Sequence, residues 1–405
     1  MGVPGGQPER TVGMDRAGDR FADRRGHRRR AEQGARMTDP TSGPRHELAA
    51  KLTTAGALQS QAWVSAFEQV PRHLFVPACW HRTAAGLEYL DSTSPEQRDH
   101  WLAVCYSDTS LVTQVDSSGT ATSASSQPSV MAIMLEALDV AADNTVLEVG
   151  TGSGYNAALL CHRLGDDRVH TVEYDQALST TAAAALAQAG YHPAMRVGDG
   201  AAGWPEQAPY DRIIATYGTE RIPPTWLRQC TPGGVIVANL GLGVIALHVD
   251  QHGHTASGRF LSRAAFMNSR AGGDAATVPQ AAFDPAIVGL GHPADTPPDL
   301  RDDNFTAWLH LHSPEIVQVT LPGPDDSLSQ AEHIFANRAG SWARVGNGRI
   351  TQVGPIWRDV HDAHTRWAHA GRPEVEQIGL TVRDDGHHTL WVDNPSSTQR
   401  WNLTP

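Results

Sequence analysis

From residue 145 onward the chain alternates between two hydrophobic rhythms. Short apolar or β-branched runs predict strands at 145–150 (TVLEVG), 168–175 (RVHTVEYD), 195–200 (MRVGDG), 210–218 (YDRIIATYG) and 233–241 (GGVIVANLG). Between them, helical spacing predicts helices at 154–164, 176–190 and 224–230. Strands alternating with helices imply a parallel sheet in an α/β fold. Two further runs, GVIALHVD and GRFLSRAAFMNS, read as a hairpin around QHGHTASG, adding antiparallel strands at one edge.

The flanking regions read differently. Residues 44–70 show two short amphipathic helices, and the prolines of VPRHLFVP (70–77) stop the second. Residues 80–126 are mixed and polar, ending in the Ser/Thr-rich SSGTATSASSQP. A helix is predicted over 128–140, with Pro128 in its first turn and Val130, Met131, Met134, Leu135 and Leu138 on its apolar side. Residues 271–300 read as a Gly/Ala/Pro linker. Residues 301–405 read as a smaller C-terminal α+β domain, with strands IVQVTL, QIGLTVRD and HTLWVD, a helix at 356–370, and six of the eleven tryptophans. Residues 1–43, rich in Gly, Pro, Arg and Asp and without periodicity, read as a disordered tail. The predicted organisation is thus tail 1–43, main domain 44–270, linker 271–300 and smaller C-terminal domain 301–405.

Charge narrows the chemistry. The net charge is −12, although residues 1–36 hold nine Arg against five Asp or Glu. The body is therefore strongly acidic, which argues against a nucleic-acid partner. Lys51 is the only lysine and lies in a predicted helix, so Schiff-base chemistry is set aside. The four cysteines are widely spaced and suggest neither a zinc ribbon nor a disulfide framework; a reducing cytoplasm fits them best. No apolar run of roughly eighteen residues occurs, so neither a membrane span nor a secretory leader is expected. His310 with His312, and His361 with His364, read as satisfied or surface histidines, and no metal is predicted.

The candidate chemistry sits at LEVGTGSGYNAALL (147–160). A dinucleotide fingerprint needs Gly-x-Gly-x-x-Gly, but the third place falls on Tyr155. The stretch instead reads Glu148-x-Gly150-x-Gly152-x-Gly154, with Thr151 and Ser153 interleaved. It resembles the turn with which class I methyltransferases bind S-adenosyl-L-methionine on a Rossmann-like sheet. Glycines let backbone approach a ligand, and the helix start offers free N–H groups to its carboxylate. Glu173, ending the second strand, suits a ribose diol. Asp199 and Gly200, ending the third, suit an adenine amino group. Three such sites at successive strand ends face one crevice.

Around this turn the chain resembles protein-L-isoaspartate O-methyltransferases over residues 44–270, on VPRHLFVP, SSQPSVMAIMLEAL, VLEVGTGSGYNAALL, GDG and DRIIATYGTERIPPTWLRQCTPGG. In that family a Thr-Ile-Ser-Gln/Ala-Pro segment carries an active-site serine. The match places it at Ser126, with Ser125 and Gln127 beside the acceptor and Thr216 on the cofactor side; Ala124 and Ser125 replace the family's threonine and isoleucine. A nucleic-acid methyltransferase would want Asn/Asp-Pro-Pro-aromatic after the fourth strand, where ATYGT stands. The implied activity is carboxyl O-methylation. Larger relatives are associated with ribosomally made, modified peptides, especially beside ATP-grasp macrocyclases (graspetides). The first expectation is therefore methylation of an aspartate in a macrocyclic precursor peptide, leading to aspartimide, with 301–405 recognising that peptide. The alternative is isoaspartyl repair.

Overall fold

The computed structural model describes residues 1–2, 39–84, 86–268, 276–287, 291–323 and 331–403. Met1–Gly43 and Pro44–Pro405 are separate units. Most of the expected tail lies outside the described residues.

A four-stranded antiparallel sheet comes first: β1 (Ala78–Thr83), β2 (Gly86–Asp91), β3 (Leu111–Val115) and β4 (Ala121–Ser125), in the order β2-β1-β3-β4. Its strands are half exposed and polar, and β3 and β4 pair with register shifts at Gln114. Such strands lack clean alternation, so the sequence reads only as mixed and polar. The helix Pro128–Ala137 follows and ends earlier than its apolar pattern suggests.

The α/β sheet forms as the pattern predicts. Its strands are β5 (Val146–Val149), β6 (Val169–Glu173), β7 (Ala194–Val197), β8 (Tyr210–Thr219), β9 (Cys230–Leu240), β10 (Gly243–Val249) and β11 (Thr255–Arg263). Strands β9-β8-β5-β6-β7 are parallel neighbours, whereas β10 and β11 add antiparallel strands. The chain leaves β5 for β6 on one side and later returns to β8 on the other. That reversal opens a crevice at the strand C-termini. Strand β11 ends at Arg263, and 264–268 turns back towards β8, where Gly218 N–H donates to Met267 O at 2.8 Å.

The C-terminal part departs from the expected division. A separate five-stranded sheet contains β12 (His292–Pro293), β13 (Ile316–Leu321), β14 (Glu332–Asn337), β15 (Trp342–Gly346) and β16 (Arg349–Val353). However, β17 (Ile378–Arg383), β18 (His388–Val392) and β19 (Arg400–Leu403) extend the α/β sheet beyond β11, making ten strands. One apolar cluster joins Leu147, Val149 and Trp226 to Phe305, Trp308, Trp367 and Leu380. The physical reason is the edge: β11 would otherwise present unpaired N–H and C=O groups, and β17 pairs them. The expected 271–300 linker is anchored in the core at particular described residues. Ala282 is buried against Ile334 and Trp342, and Leu300 joins the main core. The tryptophans follow the same logic: Trp308, Trp342, Trp367 and Trp391 are buried core, and Trp357 and Trp401 are partly buried against it.

Candidate active site

The glycine turn sits at the C-terminal end of β5. Gly150 has φ +93°, and a Cβ there would lie 3.0 Å from the Tyr217 ring and 3.1 Å from Thr216 Oγ1. Gly154, at φ +89°, starts the helix Tyr155–Leu164 and packs against Ala182 and Leu186, so it serves packing rather than the cavity. A Cβ on Gly152 would meet Ala124 O and Ser123 Oγ, each at 3.9 Å. The turn therefore faces the Ser-rich strand β4 across a narrow gap. Between them lies a cavity of about 540 Å³ bordered by Gly150–Ser153, Glu173, Asp199, Gly200, Thr216 and Ser123–Gln127. That is a size suited to a small-molecule ligand.

Glu148 is not at the cavity wall. All four residues of β5 are buried, because a central parallel strand has helices on both faces. Its Oε2 accepts from Thr171 Oγ1 at 2.6 Å and its Oε1 from Asn156 Nδ2 at 2.8 Å. Thr171 spends its only proton on Glu148, so Thr151 Oγ1, 2.6 Å away, donates to Thr171. Glu148 thus braces the turn from beneath. Burial pushes its carboxyl up to about 7. The expected direct cofactor contact is replaced by this support. Asn156 does border the cavity, and its buried Oδ1 has no partner; neither has the buried hydroxyl of Tyr155 beside it.

Glu173 and Asp199 both border the cavity. Glu173 Oε2 accepts from Gly152 N at 2.9 Å and Oε1 from Asp175 N at 3.0 Å, which locks the carboxylate in place. Asp199 accepts from Ala201 N at 2.9 Å and caps a short 3-10 turn, so turn and site roles coincide. Gly200 is required by packing: a Cβ there would lie 2.3 Å from Val149 Cγ1. Thr216 Oγ1 donates to Gly150 O, tying β8 to the turn.

Ser125, Ser126 and Gln127 close the other side. Ser126 does not cap the following helix; Gln127 holds that position without a side-chain bond. Asp108 accepts from Ser129 N at 2.8 Å and from Gln127 Nε2 at 3.2 Å, doing the capping work from a distant loop. The segment is held by Arg72, which is fully buried. Its Nε donates to Ser125 Oγ at 3.2 Å, and its Nη atoms donate to the carbonyls of Cys105, Ser107, Thr109, Ser125 and Ser126 at 2.9–3.3 Å. Burial lowers the guanidinium's pKa. Arg72 stands in VPRHLFVP, so the motif is visible in the sequence, but its partners lie 33–54 residues away.

Tyr174, Leu178, Tyr217, Arg263, Phe266, Met267 and Asn268 also border the cavity, beyond what the sequence motifs indicate. The last three come from the segment expected to be hairpin strand. Burial pushes the Tyr217 phenol up, and its ring meets Trp226 edge-on at 6.4 Å. The histidine pairs lie elsewhere: His310 and His312 bond to helix carbonyls, and His364 pairs with Asp299 at 2.6 Å. Among the described residues no three His, Cys, Asp or Glu side chains converge, and no helix is long and apolar enough to cross a membrane.

The family model of protein-L-isoaspartate(D-aspartate) O-methyltransferase matches residues 44–251. The chain is 36% identical over 185 residues to the protein-L-isoaspartate O-methyltransferase of Opitutus terrae, covering 45% of this chain and 67% of that one. It is 36% identical over 200 residues to that of Methanopyrus kandleri, covering 49% and 76%. A solved structure named protein-L-isoaspartate O-methyltransferase shares the fold, with a TM-score of 0.51 at 21% identity over 86% of this chain and 100% of its own. The chain belongs to the protein-L-isoaspartate(D-aspartate) O-methyltransferase family and is an S-adenosyl-L-methionine-dependent protein carboxyl O-methyltransferase.

Proposed function

We propose that the chain methylates the free α-carboxylate that an L-isoaspartyl linkage leaves beside the backbone of a peptide or protein. The observation that carries this reading is the facing of Gly152 and the Ser123–Gln127 segment across one cavity. A cofactor held by the turn is thereby brought against an acceptor held by the serines.

The residues fit S-adenosyl-L-methionine. Glu173 suits the ribose hydroxyls and Asp199 the adenine amino group. The N–H groups at the start of the helix Tyr155–Leu164 suit a carboxylate. Bound there, the cofactor supplies a methyl group made electrophilic by its sulfonium. An acceptor carboxylate is already ionised near neutral pH, so no general base is needed. Ser126 donates a hydrogen bond that orients this carboxylate without removing its charge. Val130, Met131, Tyr217 and Phe266 exclude water. Opposite charges cancel as the acceptor oxygen takes the methyl group, so a dry, aligned site is what the reaction requires.

The expectation of a macrocyclic precursor rested on the chain's extra length. The solved isoaspartyl methyltransferase aligns over 86% of this chain, so length alone does not favour that substrate. The isoaspartyl reading is the better supported of the two. The four buried, unpaired cysteines suit a reducing compartment such as the cytoplasm.

The test is mass spectrometry of one peptide sequence carrying isoaspartate or aspartate, alongside a macrocyclic aspartyl peptide, each with enzyme and cofactor. The isoaspartyl peptide should gain one methyl and then lose methanol on standing. Methylation of the macrocycle with none on the isoaspartyl peptide would overturn the reading.

A further inference from the structure

Among the described residues that line the cavity, Arg263 is the only cation. The acceptor is an anion, and the body of the chain is strongly acidic, so a positive group at this place bears on which peptides can enter. Arg263 is the last residue of β11, from which 264–268 turns back along the cavity. Its side chain is 45% exposed, and its Nη1 is ion-paired with Asp303.

Asp303 belongs to the C-terminal part and lies in the first turn of the helix Asp303–His312. Asp302 caps that helix, accepting from Asn304 N at 2.7 Å. Phe305 and Trp308 fix it in the core. Asp303 is thus firmly mounted, while its carboxylate is 70% exposed. An ion pair this open to water is weak enough to exchange partners. A guanidinium can take a peptide carboxylate in the same forked geometry.

We propose that Arg263 is a specificity-determining residue that pairs with a second carboxylate of the acceptor peptide, and that Asp303 competes with the peptide for it. The preferred substrates are isoaspartyl peptides with an acidic neighbour, and the C-terminal part limits how strong that preference becomes. This rests on the isoaspartyl reading above.

The experiment compares kcat/KM for two isoaspartyl peptides that differ only by Glu or Gln beside the isoaspartyl residue. The wild type should prefer the Glu peptide by about threefold, the scale of a partly exposed ion pair. Asp303→Asn should raise the ratio to about tenfold through a lower KM for the Glu peptide. Arg263→Gln should bring it to about one, with Arg263→Lys in between because one ammonium replaces the fork. All the ratios should shrink as salt rises. Melting curves confirm that each variant is folded. An unchanged ratio in Arg263→Gln, or a lower one in Asp303→Asn, overturns the proposal while leaving the isoaspartyl reading intact. If the wild type methylates neither peptide, both fall.

Discussion

Replacing Glu148 by Gln should make the protein more stable than the wild type by a margin that grows as pH rises. The carboxyl of Glu148 titrates near 7 in the folded chain against a reference of 4.5. The cause is burial, only partly offset by the bonds from Thr171 and Asn156. Raising an acid's pKa on folding means that the fold disfavours the charged form. The penalty is small below 4.5, grows as pH rises, and levels off above about 7. Between pH 5 and 7 the wild type should lose about 2 kcal/mol from this group, to order of magnitude. Other titrating groups are common to both proteins and cancel in the difference.

The substitution also has a local consequence. The new glutamine can keep its carbonyl on Thr171, but its amide would then face Asn156 Nδ2, donor against donor. Rotating the Asn156 amide resolves this, because its Oδ1 is the orphan acceptor. That rotation gives Oδ1 a donor in the new amide, so the bond between the two side chains is kept. The assay is calorimetric melting of both proteins from pH 5 to 8 at constant ionic strength. The melting-temperature difference should grow towards the variant's favour by about 3 °C across that range. A difference that stays flat above pH 5 would show that Glu148 is an ordinary carboxylate, and the bracing argument would fail with it.

Ser126→Ala should lower kcat strongly while leaving cofactor affinity and melting temperature near normal, since Ser126 caps no helix; a parallel fall in stability would refute the orienting role. Glu173→Gln should weaken S-adenosyl-L-methionine binding by about tenfold in calorimetry, the loss of a charge-assisted contact to the ribose; unchanged affinity would move the ribose elsewhere. Arg72→Lys leaves several of five carbonyls without a donor and should cost about 3 kcal/mol or more of stability; melting near the wild-type temperature would show that the segment under Ser126 holds itself.

What the sequence reveals and conceals here follows from where each residue finds its partners. The α/β sheet and its glycine turn are legible because their signals are local: runs of Val and Ile, then glycines at positive φ, then a helix. Glu173 and Asp199 both reach the cavity because one ends β6 and the other follows β7 by two residues, and strand ends converge by topology alone. Glu148 departs from its expected place because adjacency to the turn is not exposure to it. It lies within β5, where both faces are covered, so a polar residue there must be braced from inside. Arg72 and Asp108 act on Ser125–Gln127 from 19–54 residues away, and nothing in their own surroundings announces it. The C-terminal part shows the same limit at larger scale. Its strands alternate like any half-buried sheet, and alternation does not say which edge a strand joins. That edge is β11, whose last residue is Arg263. The part of the chain that covers this edge also carries Asp303, which meets the one cation among the described residues lining the cavity. Covering the sheet and restraining Arg263 are then two effects of one packing event, and substitutions at Asp303 can separate them because its carboxylate lies outside the core.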